Sequence, residues 1–179
     1  MIEGQILIAG AWREADGGAT IAVVNPSDGR QFAELARGSA QDVDAAALAA
    51  RAALEGEWGR LPAFERGRIL ARLGQLVLGQ VEELAQLEAK DVGKPLRQAR
   101  ADALALARYF KFYGGAADKV HGATIPYQPG YTVLTLREPH GVSDTSSPGT
   151  TRCKSSAAAS ARRSRWATPA CSSPARTPR

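Results

Sequence analysis

The side chains that could do covalent chemistry are few and scattered in this 179-residue sequence. Its two histidines, His121 and His140, stand alone, and an isolated histidine is more often a hydrogen-bonded loop residue than a base or a ligand. Its two cysteines, Cys153 and Cys171, match no metal-binding or disulfide spacing and fall in a stretch that we expect not to fold. These residues therefore do not predict a catalytic centre.

The pair Gly93-Lys94 is the one local resemblance to a phosphate-binding loop. No glycine stands five residues before Gly93, and Pro95 occupies the place of the Ser or Thr that such a loop requires. The sequence also contains no GxGxxG fingerprint. We expect a helix-ending turn with an exposed lysine. Five acidic residues at helical positions are expected to lie on solvated faces: Asp42, Asp44, Glu65, Glu82 and Glu83.

Composition and charge change abruptly near residue 143. Residues 143–179 hold seven of the 23 basic residues and one of the 18 acidic ones, which leaves residues 1–142 with a net charge of −1. This tail has no Leu, Ile, Val, Phe, Met or Tyr, so we expect it to be disordered. Its positive charge could bind nucleic acid, but with Trp166 as its one aromatic residue and no recognisable module we do not expect such a partner.

Short strands are predicted at both ends of the first 142 residues. Alternating patterns indicate strands at 5–9 and 20–24, with Gly17-Gly18 as the turn between them, and a further strand at 31–35. A second hairpin is expected around Pro129-Gly130.

Three helices are predicted between these strands. The first begins near residue 40, where Ser39 and Asp42 have the spacing of a capping box. The second runs from Pro62 to about residue 90 on a regular i+3/i+4 apolar pattern. The third runs to Tyr113 and is ended by Gly114-Gly115.

Five segments of this part of the chain stand out in order. They are Asn25-Pro26 with Gly29, Glu65-Arg66 before GRILARL, EELAQLEAKDVGKP (82–95), YFKFYGGAAD (109–118) and LREPHGV (136–142). In this order and spacing they resemble the N-terminal part of the NAD(P)-dependent aldehyde dehydrogenases. The resemblance covers about residues 5–142. It implies an α/β fold in which residues 1–142 supply helices of the cofactor domain and, at 120–142, part of a β-hairpin arm that joins subunits.

The same resemblance implies an activity, the oxidation of an aldehyde to a carboxylate with hydride transfer to NAD or NADP. In the family a cysteine thiolate attacks the aldehyde, an asparagine helps to stabilise the oxyanion, and a glutamate activates water. The asparagine belongs to a PWN motif soon after REPxGV, and the cysteine and glutamate lie well beyond it. No residue of this sequence matches a catalytic or cofactor-binding position. We therefore expect a truncated, inactive chain that binds no cofactor.

Two classes of function stay open at this point. One is a broken aldehyde dehydrogenase whose intact form acts on an aldehyde as a homo-oligomer. The other is a non-catalytic protein, either a subunit-interface fragment or a basic-tailed binding protein.

One minor site is implied by the resemblance. Some relatives bind a monovalent cation through an aspartate in the turn before GKP and through backbone carbonyls before NP. Those positions are Asp91, Val23 and Val24 in this sequence. The alternative is that the Asp91 carboxylate only orders the end of its helix by bonding turn backbone.

The tail reads like the same family in a shifted frame. When its codons are regrouped by one base, Ser147 to Cys153 permit Pro-Trp-Asn-Tyr-Pro-Met, and the residues after them permit QIFGRSVGAALAMGNACVFKPGEDA. Loss of one G from AGC GGA CAC would give the observed Ser143-Asp144-Thr145. We therefore expect a frameshift at codon 144, which makes residues 143–179 out of frame; the alternative is a genuine disordered extension.

The sequence also predicts where the protein resides. It shows no signal peptide at its start and no apolar run long enough to span a membrane. Residues 1–142 contain no cysteine. We expect a cytoplasmic protein.

Overall fold

A computed structural model describes residues 4–146 and 170–173. The N-terminal part forms two antiparallel two-stranded sheets, β1 (Gln5–Ile8) with β2 (Ala11–Glu14) and β3 (Thr20–Val24) with β4 (Gln31–Ala36). The expected pairing of strands across Gly17-Gly18 is wrong. Ala9 and Gly10 both have positive φ, 52° and 79°, which suits a tight two-residue hairpin loop and returns the chain at once as β2.

Five helices follow in the described part of the chain. They are α1 (Ala40–Glu55), α2 (Glu57–Arg60), α3 (Ala63–Gly79), α4 (Val81–Val92) and α5 (Leu96–Gly115). The capping box of Ser39 and Asp42 is confirmed. The prediction of one helix from residue 62 to about 90 is wrong, because Gln80 leaves the helical region at φ −119° and ψ 18° and separates α3 from α4.

Helices α3 and α5 pack with their backbones in close contact. A Cβ atom on Gly67 would lie 2.4 Å from the carbonyl oxygen of Gly114, and one on Gly114 would lie 2.7 Å from that of Gly67. About two helical turns away on each helix, a Cβ on Gly74 would lie 3.0 Å from the carbonyl oxygen of Ala107. Glycine is therefore required at this crossing by lack of space. Helix α5 ends at Gly115, within the Gly114-Gly115 pair that was expected to end it.

The hydrophobic core lies between the same helices. Its buried members are Leu70 and Val77 of α3 and Leu106, Ala107 and Phe110 of α5. Leu84 of α4 and Tyr113 of α5 pack against this cluster. Other apolar side chains of α3 lie outside this core, since Ile69, Leu73 and Leu76 remain exposed.

Two further strand pairs follow α5. Strands β5 (Ala123–Ile125) and β6 (Val133–Thr135) form the expected antiparallel hairpin. Strands β7 (Ser143–Ser146) and β8 (Ala170–Ser173) pair in parallel. At these two strands the structure differs from the expected disorder of 143–179, because the two segments pair through backbone hydrogen bonds. The expectation for 147–169 and 174–179 lies outside the described residues.

Candidate functional site

The turn between α4 and α5 follows closely after Asp91, one of the predicted site residues. Helix α4 ends at Val92, and its C-cap, Gly93, adopts the left-handed conformation at φ 76° and donates its N–H to the Ala89 carbonyl at 2.8 Å. Pro95 follows as the N-cap of α5. A glycine at this cap followed by a helix-starting proline explains why the sequence turns here.

This turn lies against the hairpin formed by β3 and β4. A Cβ atom on Gly93 would lie 2.6 Å from Cγ of Pro26, so no larger residue fits there. Lys90 adds a second contact, because its Nζ lies 4.3 Å from the centroid of the Phe32 ring, within the range of a cation–π interaction. Phe32 is the residue that the register skips where Val23 pairs with Ala33 and Val24 with Gln31. The end of α4 is thus fixed beside the end of β3.

The three predicted cation ligands belong to these two adjoining segments. Val23 is buried and Val24 is exposed at the end of β3, while Asp91 lies in the last turn of α4 and has a buried Oδ1. A carboxylate and two carbonyls are hard oxygen donors of the kind that alkali and alkaline-earth cations prefer. The donor set therefore fits such an ion. Residues 4–146 and 170–173 contain no group of three or more His, Cys, Asp or Glu that could hold a metal.

Lys94 is not the exposed lysine that the sequence predicted. Its side chain is 9% exposed, and its Nζ donates to Oε1 of Glu88 at 2.8 Å and to Oδ2 of Asp102 at 3.0 Å. Burial is the largest single influence and would lower the pKa of Lys94, but the hydrogen bonds and the negative charges of Glu88 and Asp102 together outweigh it, and the pKa lies above its ordinary value. We call Glu88, Lys94 and Asp102 the buried triad. It joins α4, the turn and α5.

Sequence reasoning missed the buried triad because nothing in the sequence separates Glu88 and Asp102 from ordinary surface charges. The one available signal was the helical position of Glu88, which lies on the side of α4 that also carries Ala85. The interpretation of Asp42 as solvated is also wrong. Its carboxylate is buried, where it accepts hydrogen bonds from Arg13 and from the backbone N–H groups of Asp16 and Ser39.

The remaining candidates for chemistry are not brought together. His121 and His140 are both exposed, one before β5 and one after β6. Cys171 lies in β8, and Cys153 lies outside the described residues.

The β5–β6 hairpin projects with almost no burial. Five large apolar side chains on it or beside it are exposed: Ile125, Tyr127, Tyr131, Leu134 and Leu136. The rings of Tyr127 and Tyr131 contact each other edge to face with centroids 5.9 Å apart. An isolated two-stranded hairpin is at best marginally stable in water, and this hairpin leaves a large apolar surface exposed.

The packed helices α3, α4 and α5, the turn against the β3–β4 hairpin and the projecting β5–β6 hairpin are consistent with the N-terminal part of an aldehyde dehydrogenase fold. The model of the aldehyde dehydrogenase family matches residues 12–148. The chain belongs to this family.

Individual relatives support the same family assignment. The chain is 44% identical over 140 residues to the mitochondrial aldehyde dehydrogenase family 2 member B4 of Arabidopsis thaliana, a match that covers 77% of this chain and 26% of that protein. A putative aldehyde dehydrogenase from Burkholderia cenocepacia superposes with a TM-score of 0.90 at 51% identity, over 93% of this chain and 35% of that one. The NAD+ complex of the aldehyde dehydrogenase from Bacillus cereus superposes with a TM-score of 0.91 at 31% identity, over 95% and 35%. The chain thus spans about a quarter to a third of the length of these relatives.

None of the helices in the described ranges is long and apolar enough to cross a membrane.

Proposed function

We propose that these residues are the N-terminal part of an enzyme that oxidises an aldehyde to a carboxylate with NAD or NADP. The family match over residues 12–148 carries this proposal. In the complete enzyme the nicotinamide cofactor accepts the hydride when it is bound. The described residues supply the packed helices, the turn at Gly93 and the projecting hairpin; the nucleophile, the oxyanion-stabilising asparagine and the general base come from sequence that the printed frame does not encode.

The chain as printed is inactive by itself under this proposal, because the reading frame shifts at codon 144. The family match ends at residue 148, close to that codon. Strands β7 and β8 add a second argument. Parallel sheets are ordinarily buried on both faces and rich in Val, Ile and Leu, yet these strands read Ser-Asp-Thr-Ser and Ala-Cys-Ser-Ser. Regrouped by one base, the codons across β8 permit Cys-Val-Phe-Lys, which suits a buried parallel strand.

Sequencing the gene across codons 140–150 tests the frame. We expect one additional base, after which the frame stays open through a cysteine and a glutamate of the family's catalytic motifs. If the gene contains no additional base across these codons, the frameshift is refuted.

Turnover tests the activity. The frame-restored protein should reduce NAD or NADP when supplied with members of a panel of aliphatic and aromatic aldehydes, followed as absorbance of the reduced nicotinamide. The printed chain, purified in parallel, is the matched control and should give no turnover. An open frame with no turnover on any aldehyde would count against the activity while leaving the frameshift standing.

The exposed hairpin supports assembly as a homo-oligomer. Its apolar side chains lie on a ribbon that contacts little else, and pairing with a second copy would cover them. A frame-restored enzyme that elutes as a monomer at micromolar concentration would overturn this part of the proposal. We also place the enzyme in the cytoplasm, which fractionation of the source cells tests directly.

The turn at Gly93 is proposed as a monovalent cation site formed by Asp91 and the carbonyls of Val23 and Val24. Positive charge there would offset the Asp91 carboxylate and hold the end of α4 to the end of β3. A melting temperature that rises in K⁺ or Na⁺, relative to an equal concentration of a bulky organic cation, is the expected result. Equal melting temperatures would refute the site.

A further inference from the structure

We infer that Lys94 is a positioning residue: through Glu88 and Asp102 it fixes the Gly93 turn against Pro26 and thereby sets the place of Asp91 relative to Val23 and Val24. The part of this inference that concerns Asp91 rests on the proposed cation site. The part that concerns the turn stands on the contacts alone.

The first step is the geometry of the buried triad. Lys94 follows Gly93 directly, so the backbone of the turn moves with the lysine. Its Nζ is held from two sides, by Glu88 of α4 at 2.8 Å and by Asp102 of α5 at 3.0 Å. The exposed fractions of the three side chains are 9%, 3% and 12% for Lys94, Glu88 and Asp102. Buried charge-assisted hydrogen bonds of this kind are directional and are not screened by solvent as surface pairs are.

The second step is the close packing of the turn against Pro26. Gly93 has φ 76° and has space for no Cβ beside the Pro26 ring. A shift of the turn toward Pro26 would make a clash, and a shift away would lose the contact. The buried triad contains Lys94, the residue next to Gly93, and ties it to α4 and α5, so it restrains the turn at this contact.

The third step is that a second ion pair between the same helices provides a comparison. Arg100 of α5 donates to both carboxylate oxygens of Glu82 of α4, at 2.7 and 2.6 Å. The two side chains are 46% and 61% exposed, and Glu82 lies at the opposite end of α4 from Gly93. This pair also links α4 to α5, but neither of its residues belongs to the turn at Gly93. It is the control for any effect of weakening the α4–α5 contact in general.

The experiment compares Lys94→Met with Arg100→Met in the full chain. Hydrogen exchange is read at the amide of Gly93, which donates to Ala89, and at the amide of Gly29, which donates to Asn25 in the adjoining hairpin. Lys94→Met should exchange at least about tenfold faster at both amides, and Arg100→Met should exchange as the wild type does. Equal exchange in the two variants would overturn the positioning role.

The same variants are then melted in K⁺, in Na⁺ and in a bulky organic cation at equal ionic strength. Where the wild type responds, Lys94→Met should need about tenfold more cation for the same rise, as expected when a residue that orients a ligand is removed. Arg100→Met should respond as the wild type does. A wild type without any response refutes the cation site, and the exchange data then decide the positioning of the turn alone.

Asp102→Asn guards against a lysine variant that does not fold. The amide keeps an acceptor oxygen for Nζ and removes the charge. Its exchange at Gly93 should be intermediate between the wild type and Lys94→Met, whereas exchange as slow as in the wild type would contradict the role of the buried triad.

Discussion

Burial of apolar side chains differs between two regions of the molecule, the helical layer formed by α3, α4 and α5 and the hairpin formed by β5 and β6. The helices bury a five-residue core between α3 and α5, with glycine contacts that leave no spare space, although Ile69, Leu73 and Leu76 stay exposed. The hairpin keeps its tyrosines and leucines exposed. The two regions therefore differ in burial: the layer holds the hydrophobic core, and the hairpin leaves its large apolar side chains in solvent. Substitutions in the two regions should differ both in size and in what they change.

The largest effect is expected in the core of the helical layer. Phe110 is 6% exposed, and its truncation in Phe110→Ala should cost about 3–5 kcal/mol of the free energy of unfolding. Tyr131 in the hairpin is 69% exposed, and Tyr131→Ala should change that free energy by less than about 0.5 kcal/mol. Urea denaturation followed by circular dichroism measures both. Similar losses would mean that the hairpin is packed on the body after all.

The next effect concerns the glycine crossing. Gly67→Ala places a methyl group against the Gly114 carbonyl and should cost about 1–3 kcal/mol, because the backbones must separate. The matched control is Gly79→Ala in the same helix, where an added Cβ meets nothing within 4 Å. That variant should be neutral or stabilise by up to about 1 kcal/mol. If the two alanines were equivalent, the close approach of α3 and α5 would be refuted.

A pH effect should appear where the first helix meets the N-terminal hairpin. The hydrogen bond from the Ser39 backbone is the main reason that the pKa of Asp42 lies below its ordinary value, with Asp16, the Ser39 hydroxyl contact and Arg13 adding to it and burial opposing it. A carboxyl whose pKa is lower in the folded state stabilises the fold above its unfolded pKa. That stability is lost as the pH falls through the folded pKa.

Melting temperatures measured from neutral pH down into the acidic range test this linkage. The wild type should lose stability on acidification more steeply than Asp42→Asn, which cannot titrate there and should already be less stable at neutral pH. Asp44→Asn, an exposed position on the same helix, serves as the control and should follow the wild-type curve. Parallel curves for the wild type and Asp42→Asn would contradict the assignment.

The smallest effect on stability, and the sharpest test of the comparison, concerns the hairpin. Leu136 is 80% exposed, so Leu136→Ser should leave the unfolding free energy within about 0.5 kcal/mol of the wild type. In the frame-restored enzyme it should instead weaken assembly, seen as a shift toward smaller species in light scattering after gel filtration. Thr132→Ser, a polar change in the same hairpin, should leave assembly intact. Assembly that withstands Leu136→Ser would show that this edge of the hairpin is not an interface.

Much of this protein was determined locally by its sequence. The capping box at Ser39, the glycine-then-proline turn at Gly93 and the hairpin at Pro129-Gly130 were predicted because each depends on the conformational preferences of a few neighbouring residues. The family was recognisable for a related reason, since five short segments keep their order whatever their contacts are. The strand at Ala11–Glu14 was missed because a two-residue loop with positive φ at an alanine carries a weak signal.

Tertiary structure alone decided which residues are buried together. Glycines at 67 and 114 could be recognised as a crossing only when two helices distant in sequence were placed side by side. Lys94 and Asp42 have the composition of surface charges, and their burial follows from partners that lie on other elements. Local preference acts over a few residues, whereas desolvation and hydrogen bonding depend on everything that surrounds a side chain in space. The family and the positions of most helices and strands could therefore be predicted from the sequence. The buried triad and the exposed β5–β6 hairpin could be identified only from the packing.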